Sequence, residues 1–414
     1  MTTERLATRA RQHLQRLCVE IGERPAGSPG NQAATDYVAQ VFAELGLAVA
    51  TPRFEVLHWA GGDVRLAVGG ETFVAEPSPY SLGCRVRAPL AIASTVEEVD
   101  SGDLAGHVLL LRGDVAREQL MPKGFTFFNP ERHQRIVAAL ERARPAAVIA
   151  ATGVDPSLAG GLSPFPLVED GDITIPSVYL SEAEGERLAR LPGAHVRLES
   201  DAERVESWGC NVIATQGAGS TRRVVACAHV DTKLATPGAL DDGAGVVALL
   251  LLAELLRDVP VGQGAALAVE LVAMNGEDHY ANPGEMAYLA ANEGRMGDIA
   301  LAINLDGVGY VGGRDAVSTY GCDAALEDVI AGGLGAEPSL VPGPPWFQGD
   351  HALFAMQGVP ALAVTSERVE ELVAAVVHTP ADTVDLVDPE KLVRLARALH
   401  RLIARLPLDR VAGR

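Results

Sequence analysis

Two histidines and four carboxylates stand in one order along the second half of the chain: His229 in AHVD, Asp241 in PGALDDGAG, Glu277-Asp278 in NGEDHY, Asp306 in INLDGVG and His378 in VVHTPADT. Two divalent cations sharing a hydrolytic water need such a set. One carboxylate bridges the cations, each cation takes one imidazole and one further carboxylate, and a spare carboxylate stays free as a base. A lone His-x-Asp or Asp-Gly at a strand end is ordinarily a turn or a cap. It is the set, in this order, that points to a single site. Asp231, two residues after His229, is placed to accept the second imidazole proton and fix the ligating tautomer. His351, in QGDHALF, is placed either to line the pocket or to start a helix.

Side chains from such distant segments converge only if one framework delivers them to one rim. From residue 206 the chain reads as apolar strand, loop, helix, repeated. Strands are predicted at 211–215, 223–228, 266–274, 299–305 and 361–365, and helices at 244–257, 283–292, 350–356 and 389–406. Near-continuous apolar strands alternating with helices predict an α/β fold, a mixed central sheet covered by helices on both faces. The expected ligands then lie just past strand ends, where open sheets of this kind bind. Asn282-Pro283 and Asp388-Pro389 are helix-start signals. Apolar residues at Leu6, Ala10, Leu14, Leu17 and Ile21 predict an amphipathic helix, RPAGSPGN breaks it, and 33–45 reads as a second helix. Between 61 and 205 short β-type runs alternate with Gly/Pro turns around one predicted helix, 131–142. That stretch holds no cluster of His and carboxylates, so it reads as an inserted strand-rich module.

Composition narrows the partners. The chain has 414 residues, 48% of them hydrophobic, enough to bury a substantial core. Its formal net charge of −20 argues against nucleic acid and anionic membranes and favours ligands with a free amine. The charged N-terminal stretch has no apolar h-region and reads as no signal peptide. The longest apolar runs are too short to span a bilayer. Five scattered cysteines without a CxxC predict neither a disulfide framework nor a thiolate metal site, and with them a cytoplasmic location.

The stretches VVACAHVDTKLATPGALDDGAGVVALLLLAELL, ELVAMNGEDHYANPGEMAYL, AINLDGVG, GDHALFAMQGVPALAVTS and VHTPADTVDLV resemble the di-zinc aminopeptidases of the aminopeptidase Y and bacterial leucyl aminopeptidase kind. Glutamate carboxypeptidase II and the transferrin receptor ectodomain are relatives of that family. The resemblance covers the N-terminal helices and nearly everything after residue 206. The twelve positions from His229 to Asp241 separate it from other metallopeptidases with a similar motif order but a longer gap. SGDLAGHVLLLRGD, RPAAVIAATG and ITIPSVYLS are similar to a protease-associated domain. The expected organisation is therefore a zinc exopeptidase fold made of 1–60 and 206–414, interrupted by a β-rich protease-associated-like domain at 61–205.

The resemblance implies two divalent ions, expected to be Zn2+. His229 and Asp306 would hold one, Asp278 and His378 the other, with Asp241 bridging and Glu277 as general base. It also implies a cis Asp241-Asp242 peptide. The chain departs from the family pattern in three places: Asp278 stands where Glu is more usual, Asp242 replaces the common Asn, and Gly349 the frequent Ser. In some members a Tyr upstream of the Asp-His pair donates to the oxyanion. Here that loop reads GPPWFQG, and Trp346 is the nearest donor-bearing aromatic. The expected activity is hydrolysis of N-terminal residues from peptides or small aminoacyl substrates, with a homo-oligomer left open. The alternatives are a carboxypeptidase or dipeptidase of the same fold, or an inactive scaffold as in the transferrin receptor branch.

Overall fold

A computed structural model of the chain describes residues 2–125, 128–153, 163–217, 220, 222–257 and 267–406. It divides into two compact units, Met1–Val56 with Trp208–Arg414, and Leu57–Ser207.

The first unit is built on an eight-stranded sheet of β1 (Ala48–Ala50), β2 (Val212–Gln216), β3 (Arg223–His229), β4 (Ala268–Met274), β5 (Ile299–Leu305), β6 (Asp315–Tyr320), β7 (Leu340–Pro342) and β8 (Ala361–Ser366). The spatial order is β1-β2-β4-β3-β5-β8-β6-β7. The middle strands β4, β3, β5 and β8 run parallel, while β2 on β4 and β6 on β8 are antiparallel. The predicted strand at 266–274 begins at residue 266, which lies outside the described residues. Strands β6 and β7 were not expected; each is short or half-buried, without the apolar run that marks the middle of the sheet.

Every residue of β3 is buried, which requires cover on both faces. On one face Val224, Ala226 and Ala228 meet α3 (Ala244–Leu256), α1 (Thr3–Leu14) and α8 (Pro389–Ile403) in one core. Helix α3, AGVVALLLLAELL, is apolar all round because it is buried all round, beneath α1 and α8. Its one carboxylate, Glu254, is paired with Arg9 of α1. The outer helix α8 is amphipathic and starts at Asp388, whose side chain accepts from the Glu390 N–H. On the opposite face lie α4 (Pro283–Ala291) and α6 (His351–Met356), joined by an edge-on contact of Tyr288 with Phe354. The N-terminal helical stretch differs from expectation: α1 ends at Leu14 and a wider π-type turn carries residues Gln15–Ile21. The second helix starts earlier, α2 being Pro29–Glu44, capped by Ser28.

The second unit has its own eight-stranded sheet, in which Cys84–Ala93, Val108–Leu111, Ala147–Thr152 and Ser177–Ser181 run parallel. Separate apolar cores cover its faces. It carries helices Val96–Ser101, Glu131–Ala143 and Glu182–Leu188 rather than the single helix expected. The two extra helices are about two turns or less, too short for a helical period to stand out from the flanking strands. No helix among the described residues is long and apolar enough to cross a membrane.

One buried titratable group in this framework sets a pH dependence. His13 of α1 is 4% exposed and its Nδ1 lies 2.6 Å from the Tyr37 hydroxyl. Burial, with Arg9 adding, pushes its pKa down to about 4. An unfolded histidine titrates near ~6.5, so between those values the unfolded chain binds the extra proton. The stability this contributes is complete above pH ~6.5 and is lost as pH falls toward 4. The full effect is on the order of 3 kcal/mol. Urea unfolding of wild type and His13→Gln between pH 4 and 7 should show the wild type losing more stability on acidification. Parallel curves would contradict this role for His13.

Candidate metal centre

The register of the middle strands puts the expected ligands on one rim. His229 is the last residue of β3 and pairs with Met274 of β4, so residues 275–278 emerge beside residues 230–231. Cys227 pairs with Asn304 of β5, so Asp306 falls level with His229. Asp241 lies in the turn before α3, and His378 in the turn after α7 (Val369–Ala375). The His378 backbone is left-handed, with φ of 61°, a conformation that costs a non-glycine residue ~1 kcal/mol or more.

The donor atoms form two groups that share one residue. His229, Asp241 and Asp306 bring ligand atoms within 4.8 Å of one another, and so do Asp241, Asp278 and His378. One oxygen of Asp241 is 2.9 Å from His229 Nε2, and the other is 3.1 Å from His378 Nε2. Asp278 Oδ1 lies 3.0 Å from the same His378 nitrogen, and its Oδ2 is buried with no partner among the described residues. Glu277 stands beside the first group, one oxygen 4.0 Å from His229 Nε2.

Each ligand is held from behind. His229 Nδ1 is 3.2 Å from the Asp231 main-chain oxygen. That carbonyl accepts a hydrogen bond from Nδ1, so Nε2 is the ring nitrogen turned toward Asp241. The expected carboxylate-imidazole contact is looser, with Asp231 Oδ1 3.7 Å from Nδ1. The Asp231 carboxylate instead accepts the Gly276 N–H at 2.6 Å and the Asp278 N–H at 3.1 Å. It thereby fixes the turn that carries Glu277 and Asp278. Gly276 sits there at φ of 110°, a backbone open to glycine at low cost. Asn275, just before it, exchanges two amide hydrogen bonds with Asn31 of α2. Asp242 accepts the His229 N–H at 3.2 Å and the Gly245 N–H at 3.0 Å. A Cβ at position 245 would stand 2.4 Å from the Asp242 carboxylate, so glycine is required. The Asp241-Asp242 peptide is cis.

Two expected contacts sit differently. His351 is fully buried. Its Nε2 donates to the Trp346 carbonyl at 2.8 Å, and its Nδ1 faces the Asn304 amide at 3.4 Å. With both nitrogens engaged, it packs against the Trp346 ring. Burial pushes its pKa down to about 4, so it stays neutral. Trp346 is held further by Tyr320, whose hydroxyl bonds both the N–H and the carbonyl of Trp346. The Trp346 indole N–H is buried and has no acceptor among the described residues.

The electrostatics call for cations. Burial pushes the Glu277 carboxyl well above the usual range, with Asp278 and Asp306 adding to it against the pull of His229. Burial, then Asp241, raises Asp306 to about 7. Burial opposes ionisation of Asp241, but hydrogen bonds from His229 and His378 outweigh it and hold that carboxyl far below the usual range. Crowded carboxylates, an orphaned Asp278 oxygen and imidazole nitrogens aimed at one shared carboxylate match what divalent ions require of oxygen and nitrogen donors.

Sequence reasoning did not find Asn31, Asn275, Tyr320, Arg24 or Asp382 as parts of this site. Only Asp382 carried a signal, its place four residues after His378 in HTPADT.

Comparison with known proteins places these features in context. Residues 211–403 match the profile of peptidase family M28. The probable lipoprotein aminopeptidase LpqL of Mycobacterium tuberculosis is 31% identical over 244 residues, 58% of this chain and 46% of that protein. The chain spans about half the length of most of the curated relatives it matches. Among solved structures, the aminopeptidase of Aneurinibacillus sp. strain AM-1 superposes with a TM-score of 0.74 at 24% identity, covering 97% of this chain and 94% of that one. BSAP, a zinc aminopeptidase from Bacillus subtilis, gives 0.73 at 21% identity, covering 96% and 94%. These structures share the fold of this chain.

If Asp241 serves both groups, its replacement should cost more than that of any other ligand. Asp241→Asn is expected to lose both ions, whereas Asp306→Asn and His378→Gln should each lose one. Elemental analysis of zinc-loaded, gel-filtered protein checks this. Equal losses in all three variants would separate Asp241 from the bridging position.

Proposed function

We propose, on the premise that residues 211–403 make this chain a member of peptidase family M28, that it is a two-zinc exopeptidase removing N-terminal residues from peptides. The observation that carries the reading is the pair of donor groups sharing Asp241, with Glu277 free beside them. Zinc suits the imidazole-carboxylate set, and a solved structure of the same fold is described as a zinc aminopeptidase. Residues 61–205 are assigned as an accessory protease-associated-like domain; both donor groups lie outside it.

In this reading His229 and Asp306 would hold one ion and Asp278 and His378 the other, with Asp241 serving both. When bound, such ions polarise the scissile carbonyl and lower the pKa of a shared water. Glu277 takes the proton of the attacking water and later delivers it to the leaving amine. Asp231, through the Gly276 and Asp278 amides, keeps Glu277 and Asp278 in register. The Trp346 indole N–H is free to donate to the developing oxyanion. The acidic surface complements a substrate with a free ammonium group.

Hydrolysis of aminoacyl anilides, compared with N-acetylated anilides and with peptides read for C-terminal release, tests the reading. Cleavage is expected only with a free N-terminus and only before chelation. Release from the C-terminus would overturn it in favour of a carboxypeptidase. Glu277→Gln should keep both ions and lose turnover by ~10²–10⁴-fold or more. Asp278→Asn should instead weaken one ion, and the reverse pattern would swap the two roles. Trp346→Phe should lower turnover by an amount equivalent to ~2–4 kcal/mol of barrier at unchanged zinc content. Normal turnover in that variant would leave Trp346 as pocket wall.

A further inference from the structure

The segment that presents Asp241 is gripped from two sides by buried charged residues. On one side is Asp382, with no exposed surface. Its Oδ1 accepts the Leu240 N–H at 2.7 Å and its Oδ2 the Asp241 N–H at 3.0 Å. Asp382 belongs to the turn that carries His378. In that turn the Thr379 hydroxyl donates to the Val376 carbonyl at 2.6 Å and accepts the Ala381 N–H at 3.1 Å. The Asp382 N–H closes back on the Thr379 carbonyl at 3.2 Å. The same rigid turn therefore supplies one zinc-binding imidazole and the anchor of the bridging carboxylate.

On the other side is Arg24, 1% exposed. Its guanidinium donates to the carbonyls of Pro237 at 2.8 Å and Gly238 at 3.0 Å, and also to those of Val230, Leu17 and Gly22. Residues 237–238 are thus pinned by a guanidinium through their carbonyls, and residues 240–241 by a carboxyl group through their amides. Buried polar groups of this kind persist where their hydrogen bonds are made in full, and here bonds from the two side chains reach four of the five residues 237–241. Arg24 lies in the N-terminal segment, outside residues 211–403.

We infer that Asp382 is a positioning residue that sets the bridging pose of Asp241, with Arg24 as the opposing half of the clamp. The inference rests on the two-zinc reading of the site. The clamp holds the Asp241 backbone before metal arrives, so that its two oxygens address the two half-sites at once. Through the 378–382 turn it also links the His378 half-site to the bridge. Loss of the clamp should therefore weaken zinc binding without dismantling the fold.

The test is zinc titration of the full-length chain, stripped with chelator, in competition with a chromogenic chelator, alongside Asp382→Asn and Asp382→Glu. Asn keeps the shape but turns an NH2 group toward a backbone N–H. Asp382→Asn is expected to bind zinc ~10–100-fold more weakly, the usual size for residues that orient ligands, with the metal-free unfolding temperature close to wild type. Asp382→Glu keeps two acceptor oxygens and should recover part of the affinity. Amide exchange of the metal-free wild type gives a readout independent of any variant: the Leu240 and Asp241 amides should already exchange slowly without zinc. Wild-type affinities for both ions in Asp382→Asn, or amides that become protected only when zinc is added, would overturn the inference while leaving the two-zinc reading intact. Failure of the wild type to bind zinc would overturn both.

Discussion

Asp241 is the one carboxylate that both donor groups share, and the rest of the site is arranged around it. Asp241 points one oxygen toward His229 and the other toward His378. A carboxylate can do this only if its backbone is fixed, because a small rotation that improves one contact lengthens the other. The supports come from four distant segments: the N-terminal turn with Arg24, the end of β3, the start of α3 and the turn after α7. The sheet supplies the first level of order. Parallel β3, β4 and β5 end in register, so that His229, residues 275–278 and Asp306 arrive together. Hydrogen bonds from backbone amides to the carboxylates of Asp231, Asp242 and Asp382 supply the second.

This arrangement is costly in the absence of ions. Glu277, Asp306 and Asp242 are all pushed up by burial with neighbouring carboxylates adding to it, which means that ionising them together is opposed. His378 sits in a left-handed conformation. A fold stores such strain at a site when another interaction repays it. Divalent ions bound only by the folded chain would do so, and would shift the folding equilibrium toward the native state. The apolar core packed against the sheet carries much of the remaining stability.

The parts of this scheme differ in how far sequence revealed them. The positions of the five expected ligands were legible because each follows an apolar run or lies in a short polar turn, and ligand chemistry restricts residue type. The middle strands and α3 were legible for a related reason: burial on every side leaves an uninterrupted apolar string. What escaped was whatever works through the backbone. Asp231 reads in sequence as a partner for the neighbouring imidazole, yet its carboxylate serves amides 45 and 47 residues away. His351 reads as either a pocket residue or a helix start; it is the first residue of α6, with both ring nitrogens spent on Trp346 and Asn304. Arg24 bonds only to carbonyls in the contacts described above, and carbonyls leave no trace in residue type. The π-type turn at Gln15–Ile21 continues the apolar spacing of α1 and cannot be told from it by period. The short helices of the second unit fall below the length at which periodicity speaks.

The central claim is that Asp241 bridges two ions. Crystals of the zinc-loaded chain, measured at the zinc absorption edge, address it most directly. The account predicts two anomalous peaks about 3.5–4 Å apart, the usual separation in such sites. One should lie against His229 and Asp306 and the other against Asp278 and His378, with one Asp241 oxygen on each. A single peak, or two peaks that do not share Asp241, would contradict it.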